Sequence, residues 1–324
     1  VCLLCYRWLD RWEPEPTRLT VMALIWGGSA GVIFSFLVEM AVPASEFVTM
    51  AIVAPLAEEL AKASVFILVA TGARKLELTS LTDHIFYAGI CALGFAFVEN
   101  LGYFALSSSA GEFVVMALVR TGFGVFGHPL YTTATAVGIW AWRTKGGLWK
   151  AAVGYIAACL LHGLWNGGPT LLAGSLGLDD TGQLAAMILV YIVLFVPVFI
   201  GTIIMTTRNR RNEYEAVRSQ LPLMVEAGLV TPAEADMIAD PRKRRAILAD
   251  SGKYGRVAKR NQKRTITAAT EAALAQHRIA AGEGGPELIK RRDQLSEWLR
   301  SRPDKLGQLP LMPQFPPIQP PATW

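Results

Sequence analysis

Residues 47–70, FVTMAIVAPLAEELAKASVFILVA, form an apolar run that contains two adjacent glutamates and a lysine. The run has the length of a helix that crosses the ~30 Å hydrocarbon core of a bilayer at 1.5 Å per residue. Charged groups at mid-span cost about 2.5–3.5 kcal/mol each on insertion, so Glu58, Glu59 and Lys62 indicate a functional site. A charge pair that holds helices together is the alternative for this segment alone.

Helical periodicity separates the two glutamates. Glu58 and Lys62 are four residues apart and share a helix face, whereas Glu59 is turned by about 100° from Glu58. We therefore expect Lys62 to pair with Glu58 and to leave Glu59 freer to act as a base.

The composition indicates a membrane domain followed by a soluble tail. The chain is 52% hydrophobic and only 18% charged, which is unusual for a soluble protein of 324 residues. Residues 1–207 carry 10 basic and 13 acidic side chains, whereas residues 208–324 carry 21 and 13. We expect a membrane domain at 1–207, a basic and partly helical tail at 208–309, and a disordered proline-rich end at 310–324.

The expected fold class is all-α, a polytopic membrane helix bundle with six complete spans. These spans are residues 19–40, 47–71, 85–106, 113–142, 151–174 and 184–206. The sequence begins within an apolar run, VCLLCY at 1–6, which we expect to be the end of a preceding span that starts before Val1.

The charges of the loops orient these spans. Alternate loops, around residues 41–46, 107–112 and 175–183, carry no Lys or Arg. The other loops and the start of the tail carry Arg7, Arg11, Arg18, Arg74, Lys75, Arg143, Lys145, Lys150, Arg208, Arg210 and Arg211. Basic loops remain in the cytoplasm, so we expect the tail to be cytoplasmic.

Within the tail we expect helix-like stretches at 214–239, 267–279 and 286–301, the first interrupted by Pro222 and Pro232. A basic tail beside anionic lipid requires no nucleic acid, so the lipid bilayer is an expected partner and nucleic acid is not. The tail is either a solvated appendage or a region that regulates partner or substrate binding.

Polar residues of three further spans lie at a depth similar to that of the glutamates. The third span contributes Glu99 and Asn100, the fourth Arg120 and His128, and the fifth His162 and Asn166. We expect these groups to gather around one polar cavity, because separate exposure to lipid would cost more. Arg120 is expected to pair with Glu112 or Glu99, and Tyr131, Thr132 and Thr133 to form hydrogen bonds between helices.

The chemistry that these groups offer is hydrolytic. A glutamate in a low-dielectric site can act as general base on water, and a histidine can share the proton or hold the water. His162 and Asn166, one helical turn apart, can donate hydrogen bonds to an oxyanion. Pro129 and the glycines just before it should loosen the fourth span and admit a substrate segment.

Other patterns indicate no further chemistry. The G-x-S-x-G match at 27–31 lies inside a span, so we expect it to mediate helix packing rather than to supply a nucleophile. The four cysteines form no CxxC pair or Cys/His cluster, and no H-E-x-x-H occurs. We therefore expect neither a disulfide nor a zinc site.

Four motifs resemble those of the PrsW-type intramembrane proteases, which are related to the CAAX prenyl endopeptidases and to bacterial CPBP membrane proteins. They are Glu-Glu-x-x-Lys at 58–62, Phe-x-x-x-Glu-Asn at 95–100, Arg with His-Pro at 120–129, and His-x-x-Trp-Asn at 162–166. The loop Asp-Arg-Trp-Glu-Pro-Glu-Pro at 10–16 is also similar. The resemblance covers about residues 1–206.

The resemblance implies a metal-independent intramembrane endopeptidase without a cofactor, in the bacterial cytoplasmic membrane. Glu58 and Glu59 would be the catalytic pair, His128 and His162 would assist, and Asn166 would lie at the oxyanion site. Lys62, Glu99, Asn100 and Arg120 would support them. Glu99 stands where the CAAX branch has a histidine, so it would orient water, pair with a cation or be structural. The expected substrates are membrane-anchored regulators such as anti-sigma factors.

Two other classes of function use the same residues. A proton-coupled transporter could relay protons through buried carboxylates and histidines. A membrane scaffold would need no chemistry from them. The spans show no internal repeat relating their two halves, which argues against the transporter.

Overall fold

The computed structural model describes residues 2–9, 15–70, 78, 80–282 and 285–302. No strand occurs among them, which confirms the all-α class. The chain divides into two compact units, Val1–Asn212 and Glu213–Trp324. The predicted disorder of 310–324, most of the 10–16 loop with Arg11, and the loop with Arg74 and Lys75 lie outside the described residues.

The first unit is a bundle of α-helices interrupted by short π-helical turns. Its helices are α1 (Cys2–Leu9), α2 (Thr17–Trp26), α3 (Val32–Ala41), α4 (Glu46–Val48), α5 (Ala54–Ala63), α6 (Val65–Ala70), α7 (Leu81–Ala105), α8 (Ala110–Ala117), α9 (Gly127–Lys145), α10 (Trp149–Ser175), α11 (Asp180–Val190) and α12 (Val196–Glu226). The π-helical turns are Gly27–Gly31, Thr49–Val53, Leu118–Phe123 and Tyr191–Phe195.

Four helical segments of the described chain are long and apolar enough to cross a membrane. They are Thr17–Ala41, Leu81–Ala105, Ala110–Lys145 and Thr181–Glu226. Of the other two predicted spans, 47–71 is helical over the described residues 47–63 and 65–70, and 151–174 lies within α10. These two spans stay predictions.

The glutamate-bearing segment is not the continuous helix that its apolar length predicts. The π-helical turn Thr49–Val53 precedes α5, and α5 ends at Ala63 with Ser64 as its C-cap. Pro55 has no N–H, so the carbonyl of Ala51 loses its α-helical partner and the turn widens. At the other end, Ser64 Oγ donates to the carbonyl of Ala61 at 2.6 Å and accepts from Trp26 Nε1 at 2.8 Å. The segment therefore presents α5 as a separate helix of ten residues.

Helix α7 is the centre of the bundle, since most of its span is buried while the other three candidate spans expose most of theirs. The turn Gly27–Gly31 packs against it. A Cβ atom at Gly27 would come 1.9 Å from the carbonyl oxygen of Cys91, and one at Gly94 would come 2.0 Å from that of Leu24. The predicted role of the glycine-rich 27–31 stretch in helix packing is confirmed.

The predicted fourth span is broken near its middle, as its glycines and proline indicated. The π-helical turn Leu118–Phe123 ends in non-helical residues 124–126, and α9 starts at Gly127. His128 therefore lies in the first turn of α9. It faces inward, with 8% of its surface exposed.

The second unit is a folded helical domain rather than an isolated set of helix-like stretches. It contains the end of α12, then α13 (Pro232–Ile238), α14 (Pro241–Ser251), a 3₁₀ turn (Gly252–Tyr254), α15 (Arg256–Ala280) and α16 (Pro286–Ser301). These helices enclose their own hydrophobic core. Arg302 and Glu234 form a fully buried ion pair at one end of the core.

One expectation for the tail was wrong. Pro222 lies inside α12 and does not interrupt it, because Leu221 and Met224 beside it are buried in the core and hold the helix in place. The expected interruption at Pro232 is present: α12 ends at Glu226 and Pro232 begins α13, since the first turn of a helix tolerates a missing N–H. The basic region before residue 267 is also helical.

Candidate active site

The structure brings the predicted polar residues of α5, α7, α9 and α10 together inside the first unit. Glu58, Glu59 and Lys62 project from α5 toward His128 of α9 and His162 of α10. Each of these five side chains is buried. The expected cluster of ionisable groups is therefore present.

Lys62 connects both glutamates to His128. Its Nζ lies 3.0 Å from Glu58 Oε2, 2.9 Å from Glu59 Oε1 and 2.8 Å from His128 Nδ1. An ammonium group can only donate, so His128 Nδ1 accepts and the ring proton lies on Nε2. Our expectation that Lys62 pairs with Glu58 alone was wrong, because its long side chain reaches both the i−3 and the i−4 carboxylate.

Glu59 is the more fully bonded of the two glutamates. Its Oε1 accepts from Lys62 and from His162 Nδ1 at 3.1 Å, and its Oε2 accepts from Thr132 Oγ1 at 2.8 Å. Its side chain is completely buried. These three donors fix the position of Glu59, which is the opposite of the freedom that the sequence indicated.

Glu58 has the freer carboxylate. Its Oε2 bonds Lys62 and lies 3.7 Å from His128 Nδ1 and 3.8 Å from His162 Nε2. Among the described residues, its Oε1 makes no hydrogen bond. Because His162 donates its Nδ1 proton to Glu59, the His162 Nε2 that faces Glu58 carries a lone pair.

His128 is held from its other side by α7. Its Nε2 donates to Glu99 Oε2 at 2.8 Å, and the same carboxylate pairs with Arg120. Arg120 also donates to Asn100 and lies 3.8 Å from the centre of the Tyr103 ring. Of the two partners expected for Arg120, the structure selects Glu99. Glu99 therefore pairs with a cation and orients an imidazole.

Asn166 is held away from the glutamates. Its Nδ2 donates to the carbonyl of Met50 at 3.0 Å, within the π-helical turn Thr49–Val53. No hydrogen bond joins it to Glu58 or Glu59 in the part of the chain that the structure describes. Its observed role is to fasten α10 to the turn that precedes α5, and an oxyanion role stays a prediction.

Tyr131, Thr133 and Glu39 contribute to the site in ways that the sequence did not predict. The ring of Tyr131 stacks on His162, with centroids 4.9 Å apart. Thr132 forms the predicted bond between helices, and its partner is Glu59, whereas Thr133 bonds its own helix at the Pro129 carbonyl. Glu39 of α3 lies near enough to Glu58 for the two charges to interact. The sequence did offer one signal for Glu39, since it is a charged residue inside a predicted span.

A cavity of about 760 Å³ reaches the cluster from the side of α2 and α7. His128, Tyr131 and Arg120 line its polar end, and Leu24, Gly28 and Phe97 line its apolar walls. Such a shape can hold an apolar peptide segment with one polar backbone group at the histidine.

The donor types of a metal site are also present. Glu58, His128 and His162 each offer one ligand atom, and these atoms lie within 4.8 Å of one another. Glu99 and Glu59 face the second ring nitrogens of the two histidines, as carboxylates often do around zinc.

The position of Lys62 does not fit a metal at these atoms. Its ammonium bonds Glu58 Oε2 and His128 Nδ1, which are two of the three ligands. A divalent ion on Glu58 would lie about 5 Å or less from Nζ, and the repulsion at an effective dielectric constant of 20 would be at least about 7 kcal/mol. As arranged, two of the three candidate ligands hold an ammonium group.

Comparison with known proteins identifies a protein family that this chain matches. Residues 15–202 match the model of a protein family described as PrsW family intramembrane metalloprotease. No curated protein and no solved structure matches the chain.

Proposed function

The chain belongs to the PrsW family of intramembrane proteases, and from this premise we propose that it cleaves a membrane-anchored regulatory protein, such as an anti-sigma factor, in or near its membrane-spanning part. Family membership favours a protease over the carrier and the scaffold. The proposed location is the bacterial cytoplasmic membrane with the tail in the cytoplasm, which the loop charges support.

The observation that carries the proposal is the freedom of Glu58 beside His162. Two acceptors, Glu58 Oε2 and the Nε2 lone pair of His162, face each other at 3.8 Å. A water molecule can donate to both and present its oxygen to a peptide carbonyl at the end of the cavity. We therefore assign the general base to Glu58 rather than to Glu59.

Hydrolysis then proceeds by ordinary acid–base steps. The water oxygen bonds to the carbonyl carbon as Glu58 takes its proton, and the carbonyl oxygen becomes an oxyanion. Collapse of this intermediate breaks the C–N bond, and the proton on Glu58 passes to the leaving amine. Asn166 would stabilise the oxyanion only after releasing the Met50 carbonyl.

The other residues hold the base in place. Lys62 fixes Glu58 and donates to His128 Nδ1, and Glu99 holds the opposite side of that ring. Glu59 positions His162 and Lys62. We propose that this reaction is metal-independent, because Lys62 already bonds two of the three atoms that a metal would bind.

A metal-dependent reaction is the second candidate, favoured by the donor types of Glu58, His128 and His162. Dialysis of purified protein against a strong chelator separates the two. Cleavage that survives chelation supports the glutamate mechanism. Cleavage that is lost, and that returns when zinc is added, would show that Lys62 gives way to a metal.

The proposed function is tested by incubating purified protein in detergent with a panel of single-span membrane proteins. The negative control is the Glu58→Gln variant, and the matched control is Glu46→Gln, which removes one exposed glutamate remote from the cluster. We expect cleavage by the wild type and by Glu46→Gln only. Equal cleavage by Glu58→Gln would refute the assignment of the base.

A further inference from the structure

The second unit carries a concentrated cationic surface that plays no part in the proposed reaction. Residues 251–264 contain six Lys or Arg side chains and no Asp or Glu. The first nine residues of α15, 256–264, include none that is buried, and burial begins at Thr265. This end of α15 therefore lies outside the core of the unit.

The cations share one face of the helix. Arg256, Lys259, Arg260 and Lys263 follow the i, i+3, i+4, i+7 spacing, which places them on a single stripe. All four of these side chains are exposed. In this first part of α15 the stripe therefore faces away from the core of the unit.

Apolar side chains are exposed at the same place. Tyr254, in the 3₁₀ turn before α15, is 58% exposed, and Val257 in its first turn is 73% exposed. Lys253 beside them is also exposed and pairs with Asp250 at 2.8 Å. An aromatic and an aliphatic side chain among cations are typical of helices that lie in the headgroup region of a bilayer.

We propose that this surface, comprising Lys253, Tyr254 and the stripe Arg256, Lys259, Arg260 and Lys263, docks on the anionic lipid of the cytoplasmic leaflet. Charge complementarity selects the lipid, and Tyr254 and Val257 insert between headgroups. The chain enters this unit directly from a membrane-spanning segment, so the bilayer is present at high effective concentration. The inference rests on the cytoplasmic orientation proposed above and is independent of the catalytic mechanism.

The test uses the full chain in lipid nanodiscs and follows amide hydrogen exchange by mass spectrometry. One set of discs contains phosphatidylcholine, and the other contains phosphatidylcholine mixed with phosphatidylglycerol. We expect exchange across residues 252–264 to slow by roughly 10-fold or more in the anionic discs, because each basic side chain near an anionic leaflet contributes about five-fold in affinity. Added salt should reverse the protection.

The test variant is Arg256→Gln/Lys259→Gln/Arg260→Gln/Lys263→Gln. A matched variant, Arg218→Gln/Arg278→Gln/Lys290→Gln/Arg300→Gln, removes the same charge elsewhere in the unit. We expect the first to lose the protection and the second to keep it. A third variant with Lys at all four positions should keep it as well, which separates charge from misfolding.

Two results would overturn the proposal. One is equal exchange across 252–264 in both kinds of disc. The other is protection that appears in neutral discs on addition of duplex DNA and is absent in anionic discs, which would assign the surface to nucleic acid. Loss of peptide cleavage in the Glu58→Gln variant affects neither outcome, so failure of this proposal and failure of the proposed function are distinguishable.

Discussion

Separate replacement of the two adjacent glutamates by glutamine should affect different properties of the protein. At Glu59, glutamine keeps one acceptor oxygen and replaces the other with an NH₂ group, while three donors still point at the site. The amide oxygen can still accept from Lys62 and His162, and the NH₂ group can donate to the Thr132 hydroxyl. The negative charge beside the completely buried Lys62 is lost, however, and the expected cost is about 3–5 kcal/mol of stability.

Replacement of Glu58 by glutamine removes fewer interactions. Lys62 is its one direct hydrogen-bond partner in the described chain, and the amide oxygen of glutamine can still accept from it. The expected cost is about 1 kcal/mol, the difference between a charge-assisted and a neutral hydrogen bond. The proton acceptor of the reaction is nevertheless lost. We expect cleavage to fall below detection with the fold intact.

The assay combines thermal unfolding in detergent, followed by tryptophan fluorescence, with cleavage of the best substrate from the panel. A loss of 3–5 kcal/mol corresponds to a fall in Tm of about 6–20 °C, and a loss of 1 kcal/mol to about 2–4 °C. Glu46→Gln serves as the control for removal of an exposed carboxylate. Equal fall in Tm for the two glutamate variants, or retained cleavage by Glu58→Gln, would refute the reasoning.

Three further changes test other contacts. Glu99→Gln should lower kcat by about 10- to 100-fold with little change in KM, because the carboxylate that fixes the His128 proton on Nε2 is lost. Gly94→Ala should destabilise the first unit by about 1–3 kcal/mol in thermal unfolding, since the added methyl group meets a backbone oxygen of the neighbouring helix. Glu234→Ala should destabilise the second unit by about 3–5 kcal/mol, measured by hydrogen exchange in α15, because Arg302 stays buried without its carboxylate.

Each of these three changes has an informative control. Glu112→Gln removes a carboxylate near the end of a neighbouring helix and should leave kcat unchanged, so an equal loss of kcat there would remove the special role of Glu99. Gly102→Ala adds a methyl group to α7 where no atom lies within 4 Å, and it should be tolerated. Asp236→Ala removes a carboxylate from α13 whose pair with Lys243 is exposed, and slower exchange in Glu234→Ala than in Asp236→Ala would contradict the prediction.

Helical periodicity and depth predicted which residues would meet. Glu58, His128 and His162 were expected at one level because each lies near the middle of an apolar run, and they do meet. The local pattern of apolar and small residues also predicted α16 at 286–301 and the packing role of the 27–31 glycines. These properties follow from the local sequence and from the high cost of placing polar groups in lipid. Both can be evaluated from one sequence.

Helical periodicity and depth could not predict which side chains are hydrogen-bonded to each other inside the cluster. Whether Lys62 bonds one glutamate or both depends on its rotamer and on the crossing of α5 with α9, which also brings Thr132 to Glu59. The bond from Asn166 to Met50 requires a π-helical turn that Pro55 induces six residues after Thr49. In the tail, a core formed by distant helices overrode the helix-breaking tendency of Pro222.

The broken, charged glutamate segment has a consequence for biogenesis. Two carboxylates and one ammonium at about 2.5–3.5 kcal/mol each oppose transfer of this stretch from the translocon into lipid by about 8–10 kcal/mol. Lys62 can pair with both glutamates as soon as the segment is helical. The partners outside the segment arrive much later in synthesis, since His128 follows Lys62 by 66 residues and His162 follows Glu59 by 103. The nascent stretch therefore has to wait at the translocon or the interface until α9 and α10 emerge. Assembly of the polar cluster and completion of membrane insertion are then the same event.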